Sequence, residues 1–193
     1  MHATRATPTV RFYFDFVDPL SYLLELELER AEAEGRARVE AIGFELRPPP
    51  APLTELSDPL WAPRWREARR RAPDGARLEP PRLVPWTRKA LELHAFARER
   101  GLEREARRAL FAAHFAEGRD IGRVDVLVEV ARALGFDRTE AKVTLDVDRY
   151  RDEVEAARRR AEELGVTDVP ALGMGERLVR GFPGPGDLGT LLG

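Results

Sequence analysis

The beginning of this chain carries the pattern that most limits its fold. Apolar and aromatic residues alternate with polar ones over residues 10–16, which predicts a β-strand with one face in the core. Asp18-Pro19 then favours a helix over residues 18–34, which Gly35 ends. Residues 38–46 have the apolar positions of a second strand. A strand, a helix and a strand in direct succession predict a βαβ unit with parallel strands and a right-handed crossover.

The middle of the chain has a helical pattern. Prolines at positions 48, 49, 50 and 52 end the first unit, and glycines break the apolar periodicity that follows. A Pro-rich connector around Glu79-Pro80-Pro81 is expected to be extended. The predicted helices cover residues 61–71, 85–100, 103–117, 124–134, 138–145 and 148–164.

Short strand patterns return near the carboxyl end. Residues 171–174 and 177–179 are separated by Gly175-Glu176, which fits a two-residue hairpin, and residues 187–192 predict a last helix. The order βαβ, helical block, ββα predicts an α/β protein with a thioredoxin fold and a large all-helical insertion. We expect residues 8–52 to form the first half of that fold, residues 53–164 the insertion and return helix, and residues 165–193 the second half.

The composition argues against several kinds of partner and location. A formal net charge of -2 and a pI of about 6.0 give no bulk electrostatic reason to expect a nucleic acid or an anionic membrane. The chain shows no signal-peptide pattern and no apolar run of about eighteen residues, so a cytoplasmic location is expected. Cys, Asn and Gln are absent, and this loss of labile side chains predicts a thermophilic source.

Five segments give the chain a resemblance to a known superfamily. They are FYFDF at 12–16, FELRP at 44–48, AFARE at 95–99, EGRDIG at 117–122 and GVTDVP at 165–170. With these segments, the chain resembles the DsbA-like thioredoxin superfamily, and within it the FrnE-type oxidoreductases, the kappa-class glutathione transferases and the 2-hydroxychromene-2-carboxylate isomerases. The segments span nearly the whole chain, so the resemblance implies the same fold.

The resemblance places the candidate catalytic residues at the start of the first helix. FrnE-type relatives carry Cys-Pro-x-Cys there, and Asp18 and Ser21 stand at the two thiol positions. The kappa transferases and chromene isomerases carry Ser-Pro-x-Ser, of which only the second Ser matches, at Ser21. Without a cysteine thiol, thiol–disulfide exchange through the chain's own side chains is chemically impossible.

Asp18 and Ser21 have two interpretations that the sequence leaves open. In the first, Asp18 is a general base or a fixed negative charge facing a substrate, and Ser21 is a nucleophile, although no His lies nearby in the sequence. In the second, Asp18 is an N-cap followed by Pro19 at the first helical position, a favoured helix start that needs no chemistry. A carboxylate at the positive end of a helix is expected to hold its proton weakly, which makes a poor base near neutral pH.

Val169-Pro170 matches the cis-proline loop of the superfamily. The resemblance implies that a cis Pro170 turns the backbone of Val169 toward the helix start, where it can pair with an extended ligand. Tyr22 completes the candidate groove. No metal site is expected, because His2, His94 and His114 form no ligand spacing and the last two lie among apolar residues, as in core histidines.

Glutathione is the ligand of the kappa-type relatives, and its two expected contact points have changed. Trp86 stands where those relatives hold one end of glutathione with Asn, and Phe182 stands near the place of a Ser-Asp pair. Apolar side chains there remove hydrogen bonds that a charged tripeptide requires. We therefore expect no cofactor, with glutathione left open as a doubtful alternative. Trp86 and Phe182 are expected either to line a more apolar pocket or to pack the insertion on the core.

Two functions remain open at this point. The first is a redox-inactive protein that binds a peptide or small-molecule ligand in the cis-proline groove. The second is an enzyme of the chromene isomerase or kappa glutathione transferase kind, with Asp18 and Ser21 in altered roles. The resemblance also implies a homodimer, by analogy with kappa-like relatives.

Overall fold

The computed structural model describes residues 7–192, apart from the side chains of residues 185 and 186. The large elements follow the predicted order. In chain order, the elements are β1 (Thr9–Phe14), α1 (Pro19–Ala33), β2 (Arg38–Gly43), β3 (Thr54–Glu55), α2 (Trp61–Arg71), β4 (Leu83–Val84), α3 (Arg88–Glu99), α4 (Glu103–Phe115), α5 (Val124–Ala133), α6 (Arg138–Asp146), α7 (Arg151–Glu163), β5 (Ala171–Met174), β6 (Arg177–Arg180) and α8 (Pro185–Leu192).

Four strands form the main sheet, in the order β2-β1-β5-β6. Strand β1 pairs in parallel with β2, with Phe12 opposite Ala41. Strand β5 runs antiparallel to both β1 and β6. The predicted βαβ unit and terminal hairpin are confirmed, and so is the α/β thioredoxin fold with a helical insertion. The predicted division into residues 8–52, 53–164 and 165–193 stays a prediction.

Strand β1 is buried on both faces, although its alternating pattern predicts only one core face. Phe12 and Phe14 lie in the main core with the leucines of α1. Tyr13 points the other way and belongs to a second cluster with Phe44 and with Ala161 of α7. The second face is buried because the return helix α7 covers it. The carboxyl end of β1, which leads to Asp18, therefore lies between two packed layers.

Helix α4 of the insertion docks on α1 and on the segment just before it through one buried ion pair and two aromatic contacts. The Arg107 Nε donates a hydrogen bond to Glu25 Oε2 at 2.7 Å, and both side chains are almost completely buried. The Phe115 ring stacks on Tyr22 with 4.8 Å between centroids, and Phe111 lies 4.9 Å from Phe16. These contacts hold the insertion against the helix that carries Asp18.

Several element boundaries differ from the predicted ones for local reasons. Strand β2 ends at Gly43, because the Leu46 N–H donates to the Asp15 side chain at 2.7 Å rather than to a strand. Helix α7 begins after Asp148, whose φ of 54° lies in the left-handed region. The small antiparallel sheet of β3 and β4 escaped prediction because two-residue strands show no periodicity. No helix within residues 7–192 is both long and apolar enough to cross a membrane.

Replacing Arg107 with Met tests the buried ion pair. The variant leaves Glu25 buried without its cation, so we expect the free energy of unfolding at pH 8 to fall by about 3–5 kcal/mol. Burial raises the pKa of Glu25 to about 7 even against the opposing charge of Arg107. The loss should therefore shrink at pH 5, where the carboxyl takes up a proton. Urea unfolding at the two pH values measures both effects.

The control for this prediction is the double variant Glu25→Leu/Arg107→Met. It removes both charges and should regain most of the lost stability, because no unpaired group remains buried. A double variant as unstable as Arg107→Met alone would show that the arginine acts through packing rather than through its charge.

Candidate functional site

Asp18 begins helix α1 and is completely buried. Its backbone is extended, with φ -86° and ψ 115°, and its Oδ2 accepts hydrogen bonds from the Ser21 N–H at 2.6 Å and the Ser21 hydroxyl at 2.7 Å. Pro19 occupies the first helical position, where a missing N–H costs nothing. Asp18 thus has the geometry of an N-cap. It caps the free backbone N–H of Ser21, and the Ser21 hydroxyl adds a second hydrogen bond to the same oxygen.

Arg64 of α2 reaches across to this helix start. Its Nη1 donates to Asp18 Oδ1 at 2.9 Å and to the carbonyl oxygen of Val169 at 2.8 Å, and its Nη2 donates to Asp168 Oδ1. Trp61, one turn earlier on the same helix, is fully buried and anchors α2. One guanidinium therefore joins the start of α1, the insertion and the loop before β5.

The Val169–Pro170 peptide bond is cis. Both backbone polar groups of Val169 already have partners within the chain. The N–H donates to Asp168 Oδ1 at 2.8 Å, and the carbonyl accepts from Arg64. An extended ligand that pairs with Val169 must replace at least one of these contacts.

The exposure of the three charged side chains differs strongly. Asp18 has no exposed side-chain surface, Arg64 has 13%, and Asp168 has 55%. Within this cluster, solvent therefore reaches the Arg64 guanidinium and the Asp168 carboxylate but not Asp18.

Burial raises the pKa of Asp18 above its ordinary value, while the charge of Arg64 and the bonds from Ser21 oppose that rise. The expectation of a weakly held proton was wrong. It considered the helix dipole and omitted complete burial, which penalises the charged carboxylate more.

Asp15 is a second buried carboxyl, three residues before Asp18. Burial raises its pKa to about 7, against the opposing effect of the hydrogen bond from the Leu46 N–H. Together with Trp86 and Thr87 it lines a cavity of about 10 Å³, which has room for one water molecule at most. Asp15 is therefore shielded from any substrate of larger size.

The predicted ligand-binding residues fall into two groups. Val169 and Pro170 lie beside Asp18 and Ser21, brought together by Arg64. Tyr22 lies in the core against the Phe115 ring, and only its edge is exposed.

Trp86 and Phe182 make contacts of their own away from Asp18. The Trp86 Nε1 donates to the Ala51 carbonyl oxygen at 2.8 Å, and 39% of the residue is exposed. Phe182 is tied to α2 by Arg71, whose Nη1 donates to the Phe182 carbonyl oxygen at 2.7 Å and whose guanidinium lies 5.5 Å from the ring centroid. Both aromatic residues thus have partners within the chain, and their predicted place in a ligand pocket stays a prediction.

The two described histidines lie in the core rather than in a cluster of metal-binding side chains. His94 and His114 are buried, and burial lowers the pKa of each to about 3, so both are neutral. Within residues 7–192 no group of three acidic or histidine side chains is arranged for a metal ion. His2 lies outside the described residues.

Sequence reasoning missed Arg64 and Asp168 as site residues. Arg64 belongs to a helix with five arginines, and nothing in the sequence separates it from its neighbours. Asp168 stands within the matching segment at 165–170, directly before the cis-proline pair. A charged residue at that place is the one signal that could have pointed to it.

The arrangement exposes few groups that could act in catalysis. The Ser21 hydroxyl is buried and donates a hydrogen bond to Asp18, and the Asp18 carboxylate is paired with Arg64. Neither side chain reaches solvent. The remaining polar groups of the cluster are two hydrogen-bond donors, the Val169 N–H and the Arg64 guanidinium, which both bond to the exposed Asp168 carboxylate.

Comparisons with known proteins give a consistent result. Residues 9–192 match the DSBA-like thioredoxin domain family. The Bacillus subtilis protein YwbO is 30% identical over 184 residues, which cover 92% of each chain. The probable DsbA oxidoreductase SCO1869 of Streptomyces coelicolor has a TM-score of 0.81 at 24% identity, over 96% of this chain and 88% of its own. A 2-hydroxychromene-2-carboxylate isomerase has a TM-score of 0.78 at 19% identity, over 95% of this chain and 92% of its own. The two solved structures show the fold alone.

Replacing Asp15 with Asn tests the raised pKa. The folded chain holds a proton on Asp15 that the unfolded chain releases, so this carboxyl lowers stability as the pH rises from about 4 to about 7. We expect the variant to exceed the parent protein in unfolding free energy by up to ~4 kcal/mol above pH 8, and to be close to it at pH 4. Urea unfolding between these values measures the difference.

The matched control is Asp74→Asn at an exposed aspartate. Its difference from the parent protein should be small and independent of pH. If the Asp15→Asn difference were equally flat across the pH range, the carboxyl would be ionised at neutral pH and the assignment would fail.

Proposed function

We propose that this chain, which belongs to the DSBA-like thioredoxin domain family and contains no cysteine, is a redox-inactive ligand-binding protein. Its ligand is an extended peptide or a small molecule that pairs with the backbone of Val169 beside the cis-proline. The insertion helix α2 forms the opposite wall of that site.

The contact of Arg64 with both Asp18 and the Val169 carbonyl carries this proposal. It brings the helix start and the cis-proline loop within reach of one side chain, which supports a binding site between these two segments. Arg64 also neutralises the carboxylate that stands at the first thiol position. The place of a reactive thiolate is thus taken by a fixed, charge-balanced pair.

Ligand binding requires one exchange of contacts. Asp168 is more than half exposed, so it is the partner that a ligand can displace at lowest cost. Arg64 stays in place because the buried Asp18 and the Val169 carbonyl continue to hold its Nη1. The freed Val169 N–H then donates to an acceptor on the ligand, as in strand addition.

Glutathione fits this site poorly, and we propose that the protein works without a cofactor. Trp86 and Phe182 offer no charged group for the two ends of that tripeptide. Trp86 bonds to the Ala51 carbonyl oxygen, and Phe182 is tied to Arg71 of α2. Buried polar ends without partners would cost more than the backbone pairing returns.

The alternative of a chromene isomerase or kappa glutathione transferase-like enzyme finds less support. Such chemistry requires a group that can touch the substrate, and Asp18 and Ser21 are both completely buried. The likeness to the isomerase is one of fold, which many functions share.

Amide chemical shifts measured during a peptide titration test the proposed function. We expect a short extended peptide to perturb the amides of Asp168 and Val169, those at the start of α1, and the Nε–H of Arg64. The Nε–H of Arg66, exposed on the same helix, is the internal control and should not move. Perturbations confined to another face, or none at millimolar peptide, would contradict the proposal.

A further inference from the structure

We propose that the Asp168 carboxylate occupies the position that a carboxylate of the ligand takes when the ligand binds. This inference rests on the proposed function and names the chemical class of the ligand: a peptide or small organic acid whose carboxylate occupies the position that Asp168 Oδ1 holds in the structure.

A single oxygen atom marks this anion position. Asp168 Oδ1 accepts one hydrogen bond from the Arg64 Nη2 and another from the Val169 N–H, the latter at 2.8 Å. A guanidinium and a backbone N–H that converge on one oxygen form a charge-assisted site for a carboxylate. The same backbone N–H is the one that an extended ligand must reach.

The groups that hold Arg64 Nη1 preorganise the site. Asp18, completely buried, fixes the Arg64 Nη1 at 2.9 Å, and the Val169 carbonyl fixes it at 2.8 Å. The guanidinium therefore keeps its orientation when Asp168 leaves, and a ligand carboxylate finds both donors already aimed. Such preorganisation lowers the ordering cost of binding.

Asp168 also limits the affinity of the site. An intramolecular carboxylate competes with every ligand at an effective concentration in the millimolar range, as expected for a group on a short tether. Removing it should therefore expose the anion position and tighten carboxylate binding by about tenfold or more. The parent protein would then select ligands that add further contacts in the groove.

Rescue of Asp168→Ala by acetate tests this inference directly. We expect sodium acetate to raise the Tm of the variant by about 3–6 °C at tenfold above its dissociation constant, relative to sodium chloride at equal ionic strength. The parent protein should respond at least about tenfold more weakly, because its own carboxylate already fills the position.

Asp125→Ala is the matched control. Asp125 Oδ1 accepts from the N–H of the following residue, and its carboxylate pairs with Arg123, so it repeats the local pattern of Asp168. The Arg123 guanidinium, however, is exposed and has no buried carboxylate behind it. If Asp168→Ala responded to acetate no more than Asp125→Ala, the inference would be overturned.

A second probe separates this inference from the proposed function. N-acetyl-trialanine and its C-terminal amide should both bind Asp168→Ala, the acid about tenfold more tightly. Equal affinity for acid and amide would overturn the carboxylate assignment and leave peptide binding in place. Acetate rescue without binding of either peptide would support the anion position and remove the peptide-binding role.

Discussion

The buried ion pair between Asp18 and Arg64 is the interaction on which the rest of the site depends. A helix start favours an anion, and a carboxylate there has little free-energy cost while it is exposed to water. Once the insertion covers it, the same carboxylate requires a cation and further hydrogen bonds to offset the loss of solvent. Arg64 and Ser21 supply both.

The same arginine links the segments that surround the helix start. By bonding the Val169 carbonyl and Asp168 as well as Asp18, Arg64 connects the two halves of the thioredoxin fold through an insertion helix. The chain has no cysteine for disulfide exchange. In the function proposed above, the Arg64 guanidinium and the Val169 N–H are the groups that bind the ligand.

Much of the fold was predictable from the sequence, because periodicity and helix-stop signals report on local structure. Helix α2 and strand β5 have the predicted bounds, since Gly and Pro punctuate the chain beside them. The cap at Asp18 and the loop at Val169-Pro170 also follow from short motifs. The cytoplasmic location, the thermophilic source and the homodimer stay predictions.

The centre of the site was not predictable, because it depends on contacts between distant segments. Arg64 lies 46 residues from Asp18 and 105 from Val169 in the chain, and its neighbours on α2 are also arginines. The pKa of Asp18 depends on burial by the insertion, which no local pattern reports. The ligand-binding role of Tyr22, Trp86 and Phe182 stays a prediction, and their partners within the chain depend on packing between distant segments.

The coupling free energy between Asp18 and Arg64 tests the central claim most directly. Unfolding of the parent protein, Asp18→Asn, Arg64→Met and the double variant gives that coupling in a double-mutant cycle. We predict about 1.5–5 kcal/mol of favourable coupling, with the double variant more stable than Arg64→Met alone, since the latter leaves a buried carboxylate unpaired. Coupling within about 0.5 kcal/mol of zero would mean that the pair does not hold the site together.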